Sequence, residues 1–156
     1  MNSAHLHIVL NHFPFIITAI ALLVAGVAFV TQQAVIKRLA LGMMVLIALS
    51  AAAAFFTGLA AEEEKFGPGS PAMAQIERHE ASARVTWIVG LVVGAVGIAG
   101  LLMSRRVTEV PMPIMATAVV ALLVSAFFFM RTSNLGGQIS HPEIRSDPVS
   151  KAFTPE

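Results

Sequence analysis

The sequence predicts an all-α fold, a four-helix transmembrane bundle with both termini on the same side of the membrane. Three observations carry this prediction. The 156 residues are 56% hydrophobic and only 12% charged, whereas a typical soluble domain carries about 25% charge. Four uncharged runs, at residues 8–36, 39–61, 85–104 and 110–130, each reach the roughly 20 apolar residues that a helix needs to cross a bilayer. These runs are continuously apolar, whereas barrel strands alternate, and only helices or closed barrels satisfy the backbone in hydrocarbon. One integral membrane domain over residues 1–156 is expected, with helices at about 8–31, 39–62, 71–104 and 112–132 and an irregular tail at 133–156.

Taken in order, the first helix opens on Asn11, His12, Phe13 and Pro14. Pro14 suits a first turn, where no intrahelical donor is lost. No basic region precedes the apolar run, so it is taken as a membrane helix and not a signal peptide. Gln32, Gln33, Lys37 and Arg38 are expected to form the turn to the second helix. That helix carries Ala48, Ser50 and four alanines at 51–54 before Gly58, small residues that let backbones approach closely. Phe66, Gly67, Pro68 and Gly69 make a turn by composition, and Ser70 can cap a third helix beginning at Pro71. That helix enters the bilayer at Trp87, and Gly90, Gly94, Gly97 and Gly100 form a packing stripe inside it. Arg105 and Arg106 mark the next turn, Pro111 and Pro113 open the fourth helix, and Gly136–Gly137 is expected to end any helix. No internal repeat is evident, although the order helix–turn–helix occurs twice.

Composition also excludes several functions. A net charge of +1 leaves no basic footprint for nucleic acid. The absence of cysteine removes disulfides, thiolate metal sites, cysteine-ligated iron–sulfur clusters and covalently attached haem. There is no phosphate-binding glycine loop and no nucleophile–base pair, so an enzyme acting alone is not expected. The two short turns hold Lys37, Arg38, Arg105 and Arg106 against one acid, Glu109. The positive-inside rule places them in the cytoplasm and the termini on the outer, periplasmic face of a bacterial inner membrane.

On that orientation all five histidines share the outer rim. If the leading segment is helical, His5 and His12 share a face; if it is extended, His5 and His7 do. His79 and Glu80 lie on the extension of the third helix, with Glu77 on the face of Glu80, and His141 with Glu143 lies in the tail. Glu62 and Glu64 close the second helix. Imidazole and carboxylate suit copper, zinc or iron, and two imidazoles can supply both axial ligands of a b-type haem without cysteine. His12 and His79 are the first axial pair, with His7 and His141 as alternates. His5, His7, His12, His79, Glu80 and His141 form the alternative metal set, with copper first. A structural reading stands beside these: interfacial histidines anchor in headgroups, and the glycine face of the third helix docks a partner helix without any cofactor.

The segments His5-Leu6-His7-Ile8-Val9-Leu10-Asn11-His12-Phe13-Pro14, Glu77-Arg78-His79-Glu80 and Leu135-Gly136-Gly137-Gln138-Ile139-Ser140-His141-Pro142-Glu143 carry a resemblance over nearly the whole chain. They resemble a bacterial inner-membrane family of unknown function. It consists of small four-helix domains with a His-Phe-Pro opening, sometimes fused to Rieske iron–sulfur domains. That company implies electron transfer at the outer face, with His7, His12, His79, Glu80, His141 and Glu143 as the matching positions. The expectation is a membrane electron-transfer protein, a subunit of an oxidoreductase complex holding haem b, with quinone or periplasmic redox subunits as partners.

Overall fold

The computed structural model describes residues 2–65 and 73–145. Helices α1 (Ser3–Leu10), α2 (Phe13–Thr31), α3 (Ala34–Lys65), α4 (Met73–Ser104) and α5 (Met112–Ser140) are followed by one 3-10 turn, Pro142–Ile144. Together α1 and α2 make one span, Ser3–Thr31, and α3, α4 and α5 provide the other three helices long and apolar enough to cross a membrane. The all-α four-helix bundle is therefore the observed architecture. Around its axis α2 packs on α3 and α5, and α4 packs on the same two helices, so α2 and α4 stand diagonally. At the end where the first span begins and α5 finishes, α1 packs on α3.

The interior is built from small side chains, with bulk turned outward. The buried residues of α2 are Pro14, Thr18, Ala21, Ala25 and Ala28, repeating at intervals of four and three. That spacing gives the left-handed seam of a coiled coil. Leu23, Val30, Val35 and Leu49 are all more than 60% exposed, as expected where lipid and not water surrounds the bundle. Lipid tails are as apolar as leucine, so association here depends on close packing and not on removing apolar surface from water. The glycine stripe of α4 meets this need. A Cβ at Gly90 would meet Ala51, one at Gly94 would meet Ala48, and one at Gly97 would lie 2.6 Å from the Leu41 carbonyl oxygen and 2.8 Å from the Met44 Cβ. The stripe is thus occupied by α3 and is not a face left for a partner helix, which corrects that expectation.

Three boundaries differ from the sequence reading. The leading segment is helical, but α1 and α2 are separated at Asn11–His12, because Pro14 has no amide for the Leu10 carbonyl and its ring crowds that turn. The α2–α3 turn is only Gln32–Gln33, with Gln32 closing α2 at φ 57°. Lys37 and Arg38 accordingly lie inside α3. The buried Lys37 ammonium donates to Gln32 Oε1 at 2.8 Å and to the Val110 carbonyl at 3.4 Å. Arg38 donates to the carbonyls of Val107 at 2.7 Å and Ser104 at 3.3 Å, tying α3 to the end of α4 and the turn that follows it. Finally, α5 continues through Gly136–Gly137 to Ser140 despite about 1 kcal/mol of helix propensity lost per glycine. Gln138 holds that turn by accepting from Gln75 at 2.9 Å and donating to Asn134 at 2.7 Å. Arg145 donates to the Gln138 carbonyl at 2.7 Å. The proposed cap at Ser70–Pro71 and the tail beyond Arg145 lie outside the described residues.

Gly97→Val is expected to destabilise the bundle by about 1–3 kcal/mol, because backbone carbonyl and Cβ atoms cannot yield as a flexible side chain would. Gly26, with nothing within 4 Å of its missing Cβ, provides the control. Gly26→Ala should leave stability unchanged or raise it by up to about 1 kcal/mol through helix propensity. Denaturant unfolding in micelles, followed by circular dichroism, measures both.

Candidate functional site

The bundle opens, at the end where the first span begins and α5 finishes, into a cavity of about 690 Å³, within the roughly 300–1,000 Å³ typical of small-molecule sites. Every helix contributes to its wall. His7, Asn11 and His12 come from the first span, Ala54, Phe55 and Gly58 from α3, His79 and Trp87 from α4, and Thr132 and Gly136 from α5. Small residues line much of it, and the Phe55 ring stacks on Trp87 at 5.6 Å to close one wall.

Two histidines are built into this wall by the same device. His7 Nδ1 lies 3.0 Å from the Ala54 carbonyl oxygen, and His79 Nδ1 lies 3.1 Å from that of Thr132. In each case a glycine stands four residues after the accepting carbonyl, Gly58 after Ala54 and Gly136 after Thr132. In a helix, the side chain at i+4 sits beside the carbonyl of residue i; glycine leaves that oxygen open to a ring from the neighbouring helix. A Cβ at Gly58 would stand 3.0, 3.2 and 3.7 Å from His7 Cε1, Nδ1 and Nε2. At Gly136 the corresponding distances to His79 are 3.0, 3.3 and 3.6 Å. The two arrangements match within about a tenth of an ångström.

This geometry fixes the chemistry of each ring. A carbonyl oxygen only accepts, so Nδ1 carries the proton and a neutral imidazole keeps its lone pair on Nε2. Among the described residues no hydrogen bond engages either Nε2. Metal-ligating histidines almost always donate their second ring N–H to a carbonyl or carboxylate in this way. The rings also come from separate hairpins, His7 from α1 and His79 from α4, and both line the same cavity. Asn11 also lines the cavity, and its Oδ1 is buried without a hydrogen-bond partner.

The remaining candidates are placed differently. His5 is exposed and does not line the cavity; its backbone N–H is capped by Asn2 at 3.0 Å. His12 lines the cavity but is exposed, at the start of α2, with no side-chain cap bond. His5 and His12 do not meet at the cavity as the leading segment's helical period suggested: His7 and His12 line it and His5 does not. His141 closes α5 at the cavity rim and pairs with Glu143 at 2.9 Å. The Glu143 carboxyl is held below its usual range, first by its own backbone N–H and then by His141. Glu80 is ion-paired to Arg84 at 2.7 Å. Glu62 lines the cavity, while the Glu64 side chain lies outside what is described. Among the described residues no three of His, Asp and Glu form a group able to hold a metal ion, so the six-residue set is not assembled.

Sequence reasoning missed Ala54, Gly58, Thr132 and Gly136. Their signal is repeated: each histidine lies 47 or 53 residues before its carbonyl anchor, and each anchor precedes a glycine by one turn. Comparison with protein-family models, curated proteins and solved structures finds no match.

The fixed tautomers give a direct check. In ¹⁵N spectra of histidine-labelled protein above pH 8, His7 and His79 should each show a protonated Nδ1 and an unprotonated Nε2. Exposed His5 should show an average of both tautomers.

Proposed function

We propose that this chain is a multi-pass membrane protein that binds b-type haem through Nε2 of His7 and Nε2 of His79 and works in electron transfer. The observation that carries this reading is the pair of matched imidazoles, each anchored at Nδ1 on a helix carbonyl over a glycine and each lining one cavity. The donor set fits the group. Two inward nitrogens without a third protein ligand are too few for a bare copper or zinc site, yet they are the two that a porphyrin leaves open. The small residues that line the wall leave room for a large occupant.

Once bound, haem supplies a one-electron carrier whose potential depends on its axial ligands, their hydrogen bonds and burial. The protein's own residues do the rest. The Ala54 and Thr132 carbonyls hold both rings in one tautomer and raise their basicity as ligands. Gly58 and Gly136 set how deeply the rings can withdraw into the helices. Phe55, Trp87 and Phe129 shield the lower cavity from water, and His12 and His141 stand at its mouth, where charge can reach solvent. Lys37 and Arg38 in the first turn of α3, with Arg105 and Arg106 after α4, put the basic residues at the opposite end of the bundle and favour the periplasmic side of a bacterial inner membrane for this site. A quinol and other membrane or periplasmic redox subunits are the partner classes consistent with that location.

Reconstitution with haem tests the reading. The wild-type protein is expected to give a low-spin, six-coordinate spectrum. His7→Ala and His79→Ala should each abolish it, while His12→Ala and His141→Ala retain it. Gly136→Leu, which pushes the ring off its carbonyl, should weaken haem binding about 10–100-fold. Folded protein that takes up no haem, or His7→Ala and His79→Ala variants with unchanged spectra, would overturn it.

A further inference from the structure

Thr132, whose carbonyl anchors His79, is also held by its side chain. Ser82 Oγ and Thr86 Oγ1 each lie 2.7 Å from Thr132 Oγ1. His79, Ser82 and Thr86 follow one another at intervals of three and four, so they share one face of α4, and all three end on this single residue of α5. We propose that Ser82 and Arg131 are positioning residues for His79, acting through Thr132 to hold the carbonyl that fixes the ring's tautomer. Their use rests on the haem reading, since His79 is one of the two ligands named there.

The direction of the hydrogen bonds is set from both ends. Arg131 Nη1 donates to Ser82 Oγ at 2.9 Å, and a guanidinium cannot accept. Thr86 donates to the Ser82 carbonyl at 2.8 Å, and a carbonyl cannot donate. The Ser82 proton therefore goes to Thr132 and the Thr132 proton to Thr86, each used once. A cation heads the chain, which strengthens its first bond, and hydrogen bonds in series polarise one another.

Thr132 spends its hydroxyl differently from the other helical threonines. Thr18, Thr31, Thr57, Thr86 and Thr117 each donate to the carbonyl four residues earlier in their own helix, the usual habit of threonine inside a helix. Among the described residues no such bond joins Thr132 to Phe128. Its hydroxyl is committed instead to the buried Ser82 and Thr86, which ties α5 to α4 within one turn of His79. His7 has no such support. Its anchor, Ala54, has no side-chain hydrogen-bonding group, and the Ala54 carbonyl also accepts from Thr57 at 3.1 Å. The two rings are alike at Nδ1 but unequally backed, so loss of the hydroxyl chain should be felt at His79 alone.

The test uses full-length, histidine-¹⁵N-labelled protein in micelles at a single pH above 8. Ser82→Ala and Thr132→Val remove links of the chain, and Arg131→Met removes its head from an exposed position where folding is not at stake. In the first two variants the ratio of Nδ1–H to Nε2–H tautomer at His79 should fall about five- to tenfold, the worth of one intramolecular hydrogen bond; Arg131→Met should lower it less. His7 in the same spectra should not change, and Thr132→Ser, which keeps the hydroxyl, should retain the wild-type ratio. An unchanged His79 in Ser82→Ala and Thr132→Val, an equal change at His7, or a Thr132→Ser variant that behaves like Thr132→Val would overturn the proposal. These spectra need no haem, so a protein that shows the change at His79 yet takes up no haem would overturn the haem reading and leave the hold on His79 standing.

Discussion

Close approach between helix backbones, made possible by missing side-chain bulk, is the constraint from which the rest of this molecule follows. In a bilayer, apolar side chains gain nothing by turning inward, and van der Waals contact and hydrogen bonds must hold helices together. The α4 glycines let the Leu41 carbonyl and the Met44 and Ala48 side chains of α3 come to contact distance. The same absence of a Cβ at Gly58 and Gly136 opens a carbonyl on each neighbouring helix to an imidazole. Packing and site construction are therefore one device used at different depths. Toward the closed end it seals the bundle; toward the open end it admits a ring where a side chain would stand.

Polar groups inside the bundle obey a strict pairing rule, since an unsatisfied one in hydrocarbon is costly. Thr18 donates to the Pro14 carbonyl at 2.7 Å, Ser125 to that of Leu122 at 2.9 Å, and Lys37 joins two turns at the opposite end. Against this background the Asn11 Oδ1 stands out as the one buried side-chain atom among the described residues with no partner. It lies in the cavity wall that the two imidazoles also line, where the structure otherwise spends hydrogen bonds on fixing ring orientation. A bundle that satisfies its other buried polar side chains thus leaves one acceptor open at the wall of its cavity.

The fold was legible because bilayer thickness imposes length on each span, and residues 39–61 or 85–104 allow no other interpretation. Packing of the α4 stripe was also legible, since four glycines at three- and four-residue spacing define a face. Boundaries were less so. Gly136–Gly137 stops a helix by propensity, but Gln75, Gln138 and Arg145 hold it through Ser140, and those are contacts between elements that local pattern does not contain. The choice among histidines failed for a related reason. His12 sits two residues before Pro14 and looks like the focus of its motif, but its ring stays exposed at the start of α2. His7, five residues earlier, is the ring that a carbonyl of α3 anchors. An α-helical period through residues 5–12 cannot reveal a break whose consequence is felt on another helix.

The two anchored histidines also expose a relation hidden from residue identity. His7 and His79 each open a helical hairpin, and each finds its anchor near the end of that hairpin's second helix, on a carbonyl one turn before a glycine. The surrounding residues differ, Ala54-Phe55-Phe56-Thr57-Gly58 in one half and Thr132-Ser133-Asn134-Leu135-Gly136 in the other, so no sequence repeat registers. What is repeated is a donor, an acceptor and a gap, the minimum needed to fix one imidazole. Placing one such unit in each hairpin brings two anchored imidazoles to the wall of one cavity. Neither hairpin alone encloses a site, since each supplies one ring and half of the wall. Assembly of the bundle and creation of the cavity are in that sense a single event, and any occupant that joins the two rings also ties the two halves of the protein together.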